Sequence, residues 1–116
     1  MTLNPSTRRV NQRHDVDLPV RIEVGSEIRN TTIKNMSVGG LYIEDAHPYT
    51  AQQIVKVYFT IPTLPEEIDV ECVIRWLQKD ASGDIEAIGV QFIGMKAKQV
   101  WALTKFFASL TASQAI

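Results

Sequence analysis

The run IVKVYFTI, residues 54–61, alternates Val55, Val57, Phe59 and Ile61 against Lys56, Tyr58 and Thr60. Successive side chains of a strand point to opposite faces, so this period of two predicts a half-buried β-strand. The period returns in LPVRIEV, where Val20, Ile22 and Val24 oppose Arg21 and Glu23. It returns again in IDVECVIRWLQ, where Ile68, Val70, Cys72, Ile74 and Trp76 share one face. IRNTTIKNMS, LYIE and IEAIGVQFI add three further runs rich in β-branched residues. GSE, Gly39–Gly40, the Pro-bounded PTLPEE and KDASGD read as turns between these runs. AHPYTAQQ reads as a loop, because Pro48 interrupts any ladder. Short strands at this spacing predict an antiparallel sandwich or a small barrel.

The two ends of the chain follow other rules. In KAKQVWALTKFFASLTAS, Val100, Leu103, Phe107 and Leu110 recur at three and four residues, which predicts a helix whose apolar face closes the core. Residues 1–13 are polar, contain Pro5 and show no period, so they are expected to form a flexible arm. A length of 116 residues fits one domain, and 45% hydrophobic with 22% charged residues is the balance of a globular protein. The net charge of −1 argues against a general nucleic-acid or membrane binder. Cys72 is the only cysteine, so no internal disulfide can form, which suits a reducing compartment. No secretory signal is readable at the N-terminus, and no apolar run approaches the ~18 residues of a membrane-spanning helix. A cytoplasmic protein without membrane insertion is expected.

Catalytic chemistry finds little support. His14 and His47 are not at metal-ligand spacing to each other or to Cys72, and Glu66, Glu67 and Asp69 read as a solvated turn. Neither a nucleophile elbow nor a phosphate-binding P-loop occurs. The expectation is therefore a protein that is not an enzyme, with no catalytic residue, metal or cofactor. The arginines point elsewhere. Arg8, Arg9 and Arg13 stand in a segment without acidic residues, and a guanidinium suits bidentate contact with phosphate or with the O6/N7 edge of guanine. Arg9 and Arg13, four apart, span about 13 Å on an extended chain. Alone they fit a solvated basic tail better than a ligand clamp. Asn35, Ser37, Gly39 and Gly40 in NMSVGG likewise suffice for a simple turn, with the glycines supplying positive φ.

Taken together the two segments carry more. Arg9-Val10-Asn11-Gln12-Arg13 matches RxxxR, and Asn35-Met36-Ser37-Val38-Gly39-Gly40 matches [D/N]xSxxG. In that order, with LPVRIEV, GLYIE and AIGVQFI around them, they resemble the PilZ domain family over nearly the whole chain. The resemblance implies a mainly β fold: a six-stranded antiparallel β-barrel over residues 15–94, a flexible arm over 1–14 and a C-terminal α-helix over 95–112. It implies binding of the bacterial second messenger cyclic di-GMP (c-di-GMP), with Arg9 and Arg13 on guanine edges and phosphates. Asn35 and Ser37 would hydrogen-bond a base, and Gly40 would keep the turn open. Arg8, directly before RxxxR, implies an intercalated pair of ligands, two per chain. Gly39 and Trp76 are implied as further contacts, with neighbouring Arg75 as the alternative to Trp76, because alternation with Ile74 and Cys72 places Trp76 at least as well in the core.

Ligand is expected to fold the arm over one barrel face and so alter the surface offered to an effector protein in trans, in motility, biofilm or related processes. A monomer or weak homodimer is expected, with no nucleic-acid polymer as partner. The alternatives are a ligand-independent PilZ-like interaction module and a barrel that binds single-stranded nucleic acid. The arginines argue against the first, and the negative net charge against the second.

Overall fold

A computed structural model describes residues 12–114, the side chains of the last three excepted. Six strands, β1 (His14–Val24), β2 (Glu27–Met36), β3 (Gly40–Glu44), β4 (Ile54–Ile61), β5 (Leu64–Lys79) and β6 (Ile85–Ile93), precede one helix, α1 (Ala97–Gln114). All pairings are antiparallel, and the strands close into a barrel in the order β1-β2-β3-β6-β5-β4. Closure falls to β1, whose Arg21 lies opposite Asn30 of β2 on one side and Tyr58 of β4 on the other. The turn expected over PTLPEE is shorter than the sequence predicts, because β5 already begins at Leu64.

A six-stranded barrel is narrow enough for side chains to fill it. Ile22, Ile33, Ile43, Val57, Ile68, Ile74, Ile88 and Leu103 are fully buried there. Burying one such aliphatic side chain contributes about 1.5–3 kcal/mol. Cys72 belongs to this core, and burial pushes its thiol up to about 12, so it acts as a small apolar residue.

The helix α1 docks by Ala102, Leu103, Phe106 and Phe107, which join the same core. This face differs from the expected one. Val100 is exposed and Leu110 half-buried, while Ala102 and Phe106 supply the burial, because the docked stripe is centred one side of Val100. Gln99 turns back so that its Oε1 accepts from the Lys96 N–H at 3.0 Å, satisfying a free donor at the helix start. The Thr63 hydroxyl donates to the Ala102 carbonyl at 2.6 Å, and the His14 ring stacks on Phe107 at 4.5 Å, joining the root of β1 to the helix.

Two features of the barrel wall position the candidate site. Between Ile33 and Asn35 on β2, and between Ile74 and Trp76 on β5, the register shifts by one residue. A bulge of this kind inserts one residue and reverses which face the following side chains occupy. Meanwhile the β3–β4 loop is anchored by Asp45, whose carboxylate accepts from Arg29 Nε at 2.7 Å, Arg29 Nη2 at 3.0 Å and the Tyr49 hydroxyl at 2.6 Å.

Candidate ligand-binding site

The two bulges assemble one row of residues on the outside of the barrel. Asn35 of β2 pairs with Tyr42 of β3, Tyr42 with Gly89 of β6, and Gly89 with Trp76 of β5. Unbroken alternation would have turned both Asn35 and Trp76 inward behind Ile33 and Ile74. The extra residues, Lys34 and Arg75, turn them outward. Trp76 is consequently half exposed and not a core residue, which resolves the ambiguity left by its sequence position. Its ring lies across Gly89, where an added Cβ would sit 3.3 Å from Trp76 Cε3. The Tyr42 and Trp76 rings stand 5.7 Å apart above that glycine. The Tyr42 hydroxyl donates to Gln78 Oε1 at 2.7 Å, and Gln78 Nε2 donates to Glu86 at 2.6 Å. Burial and the Glu86 and Glu44 carboxylates push the Tyr42 pKa up, which keeps that donor protonated.

This row floors a cavity of about 550 Å³ that also takes in Arg13, the β2–β3 turn, Arg75 and Gln91. Arg13, just before β1, donates from Nε to Asn35 Oδ1 at 2.5 Å. Loss of water around the guanidinium lowers its pKa from the ordinary value, and it remains a cation. Arg75 donates from Nε to Gln91 Oε1 at 2.7 Å and from Nη1 to Gln52 Oε1 at 2.8 Å.

The partners of these arginines set the electrostatics. Arg21 is matched by Glu67 and Arg29 by Asp45 and Glu27. Among the described residues, Arg13 and Arg75 hydrogen-bond only to amides, which hold a guanidinium in place without cancelling its charge. The cavity therefore offers two cations, with no carboxylate on either among the described residues, beside an aromatic wall. That combination suits an anionic ligand with planar rings.

The glycines of the NMSVGG turn do not supply the expected positive φ, although Asn35, Ser37, Gly39 and Gly40 all line the cavity. Ser37 is buried, its N–H donates to the Gly40 carbonyl at 2.9 Å, and its Oγ accepts from the Gly39 N–H at 3.0 Å. Positive φ occurs at Gly25, Gly83 and Gly94, and not at Gly39 or Gly40. Gly40 meets a different demand. It lies buried against β6, where a Cβ would stand 2.0 Å from the Val90 carbonyl oxygen, so close strand packing requires the glycine. Arg8 and Arg9 lie outside the described residues. Tyr42, Gln78, Gln91 and Gln52 escaped sequence reasoning. Gly89, a glycine inside a strand pattern, was the one available signal of a close approach.

The PilZ domain family model matches residues 7–109 of the chain. Among solved structures, the Bacillus subtilis inhibitor of motility MotI/DgrA matches with a TM-score of 0.79 at 21% identity, covering 91% of this chain and 52% of that one. The K. pneumonia MrkH–c-di-GMP complex gives 0.74 at 18% identity, over 93% of this chain and 54% of that one. The PilZ domain of Escherichia coli YcgR with c-di-GMP gives 0.72 at 11% identity, over 92% and 94%. This chain thus spans about half the length of MotI/DgrA and MrkH. No curated protein matches the sequence. Family model and closed six-stranded barrel agree: the chain belongs to the PilZ domain family.

Proposed function

We propose that this protein is a receptor for c-di-GMP, taken up in the cavity on the outer wall of the barrel. The observation that carries the reading is the pairing of Arg13 and Arg75, both held by amides alone among the described residues, with the Tyr42–Trp76 wall beside them. The MrkH and YcgR structures, which hold c-di-GMP, share the fold and support the choice of ligand. The guanidinium groups would take the ligand's phosphates and guanine O6/N7 edges. A guanine stacked on Trp76 would gain about 1–3 kcal/mol. Asn35 Oδ1, already accepting from Arg13, has a second lone pair for a guanine N–H.

Arg8 and Arg9 precede Arg13 in the chain, and the ligand would draw them to the same mouth, Arg8 admitting a second, intercalated molecule. His14, next to Arg13, stacks on Phe107, so ligand at the arm would also bear on α1. The resulting surface would act on an effector protein. No helix among the described residues is long and apolar enough to cross a membrane.

Isothermal titration calorimetry with c-di-GMP tests the reading. Micromolar or tighter binding, lost in Arg9→Ala and Arg13→Ala, is expected, with a stoichiometry near two. Absence of heat with the wild-type protein would remove the receptor function.

A further inference from the structure

Gln52 has a φ of 72° and is the one residue other than glycine with positive φ among the described residues. The Gln53 N–H donates to the Thr50 carbonyl at 3.1 Å, so Gln52 stands third in a four-residue turn. Positive φ at that place normally selects Gly or Asn, because any other side chain crowds the next carbonyl. Thr50–Gln53 contains neither. The turn is also fastened to β5 on both sides of the strained residue. The Gln52 N–H donates to the Ile74 carbonyl at 2.7 Å, and the Ile74 N–H donates to the Gln53 carbonyl at 2.9 Å.

These backbone bonds impose the conformation, and the side chain shows what the turn carries. Gln52 Oε1 accepts from Arg75 Nη1 at 2.8 Å, while Gln91 Oε1 takes Arg75 Nε. Arg75 is itself the inserted residue of the β5 bulge, so no residue of β6 stands directly opposite it in the ladder, and of its two side-chain partners only Gln91 lies on that strand. Strain persists where the surroundings enforce it, and it concentrates at ligand sites.

We infer that Gln52 is a positioning residue: its strained turn holds the Arg75 guanidinium over the cavity, ready for a ligand phosphate. This rests on the c-di-GMP reading for the identity of the ligand. A guanidinium has five N–H donors, of which the two glutamines engage two, leaving three for a phosphate. A carboxylate at position 52 would hold Arg75 equally well but neutralise it. An amide fixes the side chain and leaves the charge.

Gln52→Gly separates this role from a structural one. Glycine removes the backbone strain and the tether together. The variant should melt at or above the wild-type temperature and bind c-di-GMP about two- to tenfold more weakly, the effect of one side chain ordered only on binding. Gln52→Glu should retain the fold and weaken binding at least as much. Gln52→Gly that binds as wild type, or that loses stability, overturns the inference. Hydrogen exchange of the Arg75 Nε–H in the ligand-free protein provides an independent reading. Exchange faster in Gln52→Gly supports the tether, and equal exchange overturns it. If wild-type protein fails to bind c-di-GMP, the receptor function falls and this exchange comparison alone decides the tether.

Discussion

Gly40→Ala tests whether this glycine serves strand packing or ligand access. A Cβ at position 40 would lie 2.0 Å from the Val90 carbonyl oxygen, 3.1 Å from its carbon and 3.3 Å from the Gln91 Cα. All three obstacles are backbone, so no side-chain rotation relieves them. Carbon–oxygen contacts begin near 3.3 Å, so β3 and β6 would have to part by about 1.3 Å. The bond from the Phe92 N–H to the Gly39 carbonyl, 2.9 Å here, would not survive that opening. Each buried group left unpaired costs about 1–3 kcal/mol, and the stiffer unfolded chain returns about 0.4–1 kcal/mol. The net loss is about 3 kcal/mol, or about 12 °C in Tm for a domain of this size. Thermal unfolding followed by circular dichroism measures it. Gly89→Ala is the control: its obstacle is the ring of exposed Trp76 at 3.3 Å, which can yield, so the change should stay within about 0.5 kcal/mol. A Gly40→Ala protein that melts within about 4 °C of wild type, while losing ligand, would refute the packing argument and restore the ligand-access role.

Burial alone would raise the Asp45 pKa, but hydrogen bonds from Arg29 and Tyr49 outweigh it and hold the carboxyl below its ordinary value. A depressed carboxylate stabilises the fold above its unfolded pKa of about 3.9 and loses that contribution as pH falls through the folded value. Wild-type melting should therefore drop on acidification below about pH 4, whereas Asp45→Asn should melt lower at pH 7 and decline less steeply. Trp76→Ala should weaken c-di-GMP binding by about tenfold or more in calorimetry, with stability within about 1 kcal/mol because the ring is half exposed. Asn35→Asp sets two effects against each other: a carboxylate partly neutralises Arg13, as at position 52, but unlike position 52 it also accepts directly from the guanine N1–H and N2–H edge. The second effect should win by about threefold or more; unchanged or weaker affinity would contradict the shared-acceptor geometry.

The strands were legible because their inward residues alternate without interruption: Val55, Val57, Phe59 and Ile61 are all buried as the period demands. The turn signals at Gly25 and Gly83 were equally plain, since both carry positive φ. Legibility ends where a bulge inserts one residue. Lys34 and Arg75 look like ordinary strand positions, yet they reverse the faces of Asn35 and Trp76, and pairing with β3 and β6 decides where the insertion falls. Gln52 hides for a related reason: its turn lacks the glycine that would announce positive φ, and tertiary bonds to β5 impose the conformation instead. Gly40 was visible as a motif position, but the demand it meets comes from a strand fifty residues onward in the chain. The helix face differs because Ala102 and Phe106 join Leu103 and Phe107 in the core, a stripe that leaves Val100 outside.

The central claim is that one outer wall, built by two bulges, receives c-di-GMP. Titrating the isotope-labelled protein with c-di-GMP and following its backbone amide and arginine Nε–H resonances tests that most directly. The account predicts saturable shifts concentrated in the β2–β3 turn, at Tyr42, at the Arg75–Trp76 bulge and at Arg13. Saturable shifts confined to the opposite wall around Arg21 and Tyr58, or none at millimolar ligand, would contradict it.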